Sequence, residues 1–128
     1  MAKVLLAAAS ILESVTGLTL IIAPGLLMSL LGTNGFGAAL VVARIAGLGL
    51  VLLGIGCWPR VELNVVRLRV MLIYNLLATA YLGFLRFGSE SVGKLLLPAI
   101  AVHAVLAILF IGAWLKHQSG GASKRSWA

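Results

Sequence analysis

The chain has 128 residues, 62% of them apolar and only 10% charged, with a mean hydropathy of +1.14. No water-soluble globular domain of this size has that composition, so the sequence reads as an integral membrane protein. Ten Lys and Arg against three acids give a net charge of +7, and because the basic residues scatter near helix ends the excess suits cytoplasmic loops and anionic headgroups rather than nucleic acid.

Spanning the hydrocarbon requires about 20 apolar residues in a helix, because every backbone amide must find its partner inside the segment. Four stretches meet that requirement. The first runs over residues 4–23, "VLLAAASILESVTGLTLIIA", and stops at Pro24-Gly25, a pair that removes a donor and adds backbone freedom. With one basic residue before it and no small-residue cleavage site in a polar context after it, this run reads as a span and not as a signal peptide. "PGLLMSLLG" is too short to cross and predicts a short interfacial helix, with Pro24 in its first turn and Gly32 at its C-terminus.

"TNGFG" at 33–37 is a turn signal, and the second span follows over 37–58, ended by Pro59. The third span is predicted over 66–87 and the fourth over 92–115, with Pro98 expected to kink the last one mildly. Residues 1–116 thus form one four-span, all-α membrane domain, and the basic, Gly/Ser-rich tail 117–128 reads as disordered at the membrane surface. In "FGSESVGK", Glu90 and Lys94 stand four apart, as in a solvated helix start.

Orientation follows from the distribution of cations. Lys3, Arg60, Arg67, Arg69, Lys116, Lys124 and Arg125 fall on one side of a four-span chain, Arg86 and Lys94 on the other. The positive-inside rule then places both termini in the cytoplasm, in what we expect to be a bacterial inner membrane. Trp58 and Trp114 fall at that same interface, where indoles are favoured.

Glu13, Arg44, Asn75 and His103 are the expensive residues within the spans. A charge near the bilayer centre costs about 2.5–3.5 kcal/mol on insertion scales, so such residues face the bundle interior and find partners. At 1.5 Å per residue, Glu13 lies about 15 Å in from its end of the bundle, Arg44 about one turn away in depth, and His103 near the same level. The expected constellation is a buried Glu13–Arg44 pair with His103 beside it, and secondary polar contacts from Ser10, Ser14, Tyr74, Asn75 and Tyr81. A carboxylate paired with arginine stays ionised and carries protons poorly.

Ser10, Glu13, Ser14 and Gly17 lie on one stripe of the first span. On the second, Ala43, Gly47 and Gly54 share one face, and Gly49 and Gly56 another. Small residues at such spacing let helices approach closely. "GLGLVLLG" has no strand before it and is no dinucleotide loop. Cys57 lacks a base and reads as an inert or lipidated thiol, and the two histidines, His103 and His117, stand at different depths. No catalytic residue, metal ligand or cofactor is therefore expected, and the chain is read as a non-enzyme whose partners are the bilayer and a second copy or a larger membrane complex.

Two resemblances add to this. "APGLLMSLLG", "ARIAGLGLVLLGIGCW", "YNLLATAYLGFL" and "LPAIAVHAVLAILFIGAWL" resemble an uncharacterised group of small bacterial four-helix inner-membrane proteins, broadly similar to DoxX-like proteins. That resemblance implies a fold and a location, and, more weakly, a quinone- or redox-linked role. "SILESVTGLTL" resembles the first helix of small multidrug resistance transporters, which implies proton exchange at Glu13, with Gly17 the other matching position. The rest of the chain departs from that family, since Arg44 would compete for the carboxylate and the aromatic-rich middle helices are missing. The first expectation is thus a structural or accessory four-helix protein ordered by the Glu13–Arg44–His103 cluster; the alternative is a small proton- or cation-coupled transporter using Glu13.

Overall fold

A computed structural model describes residues 1–33, 37–60, 64–88 and 93–123, with side chains as far as 118. The turn at Asn34–Phe36, the Glu90 contact and most side chains of the basic tail lie outside the described residues. Five helices follow in chain order: α1 (Ala2–Ile22), α2 (Pro24–Leu30), α3 (Ala38–Cys57), α4 (Val65–Gly88) and α5 (Leu96–Ser123). Four of them are long and apolar enough to cross a membrane, and the protein is a four-span helical bundle.

α1 ends where Pro24 removes the next amide, and the same proline, buried, opens α2. Gly32 closes α2 with φ +87°, as glycine does at a helix C-terminus. The Leu95 amide then donates to the Leu30 carbonyl at 2.9 Å, which ties the end of α2 to the start of α5. Gly93 must be glycine there, because a Cβ would run into the backbone of Leu31 and Gly32. Pro98 sits in the first turn of α5, where no intrahelical donor is needed, so the expected kink has no cause. α5 also continues past residue 115 as far as Ser123; Lys116 and Gln118 are good helix formers, and an apolar span that ends does not oblige the helix to stop.

The bundle is built from two close pairs. α1 packs along α3 and α4 along α5, while contacts between the pairs are sparse. Glycine makes the first pair: a Cβ on Gly17 would stand 2.5 Å from the Gly47 carbonyl oxygen, and one on Gly47 would stand 2.6 Å from that of Gly17. Farther along, Gly54 faces Ser10 and Ser14. The backbones touch where side chains are missing, which is how spans associate without a hydrophobic drive. Gly49 and Gly56 face open space instead.

The buried apolar core gathers at the end that carries Trp58 and Trp114, where Leu6, Ala9, Cys57, Leu68, Met71 and Phe110 meet. Beyond Asn75 the packing changes. Every α4 residue from Leu76 to Gly88 is exposed or half-buried, so the far half of the bundle is held mainly by the glycine contact of α1 with α3 and by the α2–α5 tie.

Candidate functional site: a polar layer between two helix pairs

Glu13 is 1% exposed, although it belongs to a helix whose other faces, with Ile11, Val15 and Leu18, are open. The stripe that carries it explains why. Gly17 and Ser10 turn toward α3, and Glu13, on the adjoining edge of α1, projects across the seam toward α4 and α5. There the Tyr74 hydroxyl donates to Glu13 Oε2 at 2.8 Å. The second oxygen, Oε1, has no hydrogen-bond partner among the described residues and stands 3.9 Å from His103 Nδ1.

His103 is held from the other side by Asn75. The Asn75 amide nitrogen donates to the Met71 carbonyl at 2.8 Å, which leaves Oδ1 pointing at His103 Nδ1, 2.9 Å away. An amide oxygen only accepts, so Nδ1 carries the hydrogen and Nε2 is the ring nitrogen left to gain or lose a proton. Tyr74 also meets the imidazole edge to face, with ring centres 5.8 Å apart. Three helices thus supply a compact set of Glu13, Tyr74, Asn75 and His103. The His103 side chain is 14% exposed and Tyr74 is half-buried, while Glu13 and Asn75 are closed off.

The expected Glu13–Arg44 pair is not formed. Arg44 lies exposed on α3 and its Nε donates to the Ile21 carbonyl oxygen at 3.4 Å. Helix register is the reason. With Gly17 opposite Gly47 and Ser14 opposite Gly54, the level of Glu13 on α3 falls between those two glycines, and Arg44 lies about two turns away. The arginine instead serves α1's last turn, which has no basic residue of its own and whose carbonyls run short of amide donors at Pro24.

The secondary residues divide likewise. Tyr74 and Asn75 belong to the centre of the site. Tyr81 is exposed on the far half of α4, nearly two turns beyond Tyr74. Ser14 packs against Gly54, and Ser10, fully buried, has a hydroxyl without a hydrogen-bond partner among the described residues. Among the described residues no three His, Cys, Asp or Glu side chains stand close enough to hold a metal ion. A polar residue within each span was visible in the sequence; that Tyr74, and not a cation, would reach the carboxylate was not, because sequence position gives depth along a helix but not which helix faces meet.

Chemically, the layer can hold a proton on Glu13 or on Nε2 of His103, and the Nδ1–H edge of the imidazole faces Glu13 Oε1 across 3.9 Å, so the charge on either group is felt by the other. Comparisons with protein-family models, with curated proteins and with solved structures found no match to this chain.

Proposed function

We propose that this multi-pass membrane protein is a small proton- or cation-coupled carrier of the bacterial inner membrane, with Glu13 as its exchange site and His103 as the neighbouring proton acceptor. The observation that carries the reading is the half-satisfied carboxylate: buried Glu13 Oε1 lacks a hydrogen-bond partner among the described residues and faces His103 across 3.9 Å. A carboxylate serving only to order the bundle would gain from having both oxygens bound, since each unmet buried acceptor costs about 1–3 kcal/mol. An intramembrane ionisable group is also a functional site by default where no fixed cation neutralises it.

Packing supports a direction of access. Below the polar layer the core of Leu68, Met71 and Phe110 is closed, whereas α4 has no buried residue above it. With the cation-rich end in the cytoplasm by the positive-inside rule, a cation or proton reaches Glu13 from the opposite side. Sparse packing between the helix pairs leaves a seam able to rearrange, as alternation of access demands.

The test uses the full chain in proteoliposomes with an imposed pH gradient, assayed for uptake of tetraphenylphosphonium and, separately, of sodium and potassium. We expect one of these to move with a counter-flow of protons, and Glu13→Gln to abolish it while leaving the protein folded. A second reading keeps Glu13 structural, favoured by the Tyr74 bond that joins the two helix pairs. That reading prevails if Glu13→Gln destabilises the bundle and the native protein moves none of the three cations.

A further inference from the structure

Away from the polar layer, a cleft of about 380 Å³ opens between the end of α3 and the start of α4. Its wall is apolar, formed by Leu52, Leu53, Gly56 and Val70, and its membrane-boundary end carries Asn64 and Arg67. We propose that this cleft binds one anionic phospholipid, with an acyl chain along the apolar wall and the headgroup phosphate on Arg67.

At Gly56 the cleft wall carries no side chain. No atom lies within 4 Å of where its Cβ would be, so the helix surface is notched in the direction an acyl chain would run. Leu52 stands outward on that wall and Gly56 one turn nearer the boundary, and Trp58 marks where hydrocarbon gives way to headgroups. Arg67 is there at the depth of the phosphates. Its Nη1 donates to the Trp58 carbonyl at 3.0 Å, an anchor that holds the guanidinium in place while leaving further N–H groups for a second acceptor.

Charge argues for an anionic lipid over a zwitterionic one. Arg60 lies at the same end of the bundle, with Glu62 as the one acid of that loop, while Arg69 turns instead to the Trp114 ring of α5; each cation near a membrane surface favours anionic lipid by about 1 kcal/mol, or roughly fivefold in affinity. Asn64 accepts from the Val66 amide at 2.8 Å, so its amide nitrogen remains available to a phosphate or glycerol oxygen. A second copy of this chain has three acids in all, one of them the buried Glu13, with which to meet Arg67. The cleft shares no lining residue with the polar layer, and this site stands or falls independently of the carrier reading.

Native mass spectrometry of the purified full chain, released from micelles doped with phosphatidylglycerol or phosphatidylcholine, tests the site. One phosphatidylglycerol should be retained about 25-fold more than phosphatidylcholine, from the two cations Arg67 and Arg60 at about fivefold each. Arg67→Gln should reduce that excess about fivefold. Gly56→Leu, which fills the notch without touching Arg67, should abolish the bound lipid, whereas Gly49→Leu, also into open space, should leave it unchanged. Equal retention of the two lipids overturns the proposal, and so does a Gly56→Leu protein that binds like the native chain. A lipid-free dimer that Gly56→Leu dissociates would assign the cleft to a second copy and overturn it as well.

Discussion

The Tyr74 hydroxyl donates to Glu13 Oε2 across 2.8 Å, and this bond links the α1/α3 pair to the α4/α5 pair where backbone contact between them is sparse. Removing the hydroxyl leaves both carboxylate oxygens without a hydrogen-bond donor in a buried position. Tyr74→Phe should therefore destabilise the protein by about 1–3 kcal/mol, read as a lowered midpoint in reversible denaturation in mixed micelles. An unchanged midpoint would mean that the seam is held by other contacts.

Arg44 and Glu13 provide a sharper test, because the sequence alone favours pairing them. With Arg44 at the Ile21 carbonyl, the two residues share no partner and should behave additively. We expect Arg44→Gln to cost about 0.3–1 kcal/mol, the worth of a cation at a helix C-terminus. The double-mutant coupling with Glu13→Gln should stay within about 0.5 kcal/mol. A coupling of several kcal/mol would restore the ion pair.

Glycine positions on α3 should split into two classes under the same substitution. Gly47→Ala places a methyl 2.6 Å from the Gly17 carbonyl oxygen and 2.9 Å from Leu20 Cβ, so overpacking should cost about 1–3 kcal/mol or more. Gly49→Ala meets open space and should be neutral or stabilising by up to about 1 kcal/mol, since alanine is the better helix former. Stability curves of the two variants side by side decide the matter; equal effects would remove the Gly17–Gly47 contact as the organiser of the pair.

His103 should show a defined tautomer. Because Asn75 Oδ1 faces Nδ1 while the amide nitrogen is committed to Met71, neutral His103 should carry its hydrogen on Nδ1, visible in the nitrogen-15 shifts of a histidine-labelled sample. Asn75→Leu should shift the population toward the Nε2-protonated form. A native spectrum dominated by Nε2–H would reverse the assigned direction of the Asn75–His103 bond.

The four spans, the helix break at Pro24 and the short helix after it were legible in the chain itself, because the bilayer imposes length and apolarity on each segment independently of the others. The small-residue face of α3 was legible as well: Gly47 and Gly54 are its contact, as their spacing implies. Depth along each helix also brought His103 to the level of Glu13, since rise per residue is a local property.

Partnership across helices was decided only by the tertiary structure. Depth alone leaves azimuth and interhelical register open, and a displacement of two turns is enough to exchange one partner for another. The meeting of Gly17 with Gly47 sets that register, sending Arg44 to the end of α1. The division into two close pairs then turns Glu13 into the seam between them, where Tyr74, Asn75 and His103 meet it. Composition dictates that a carboxylate in a span must be sheltered; which groups shelter it depends on contacts between residues distant in the chain, and those follow from packing.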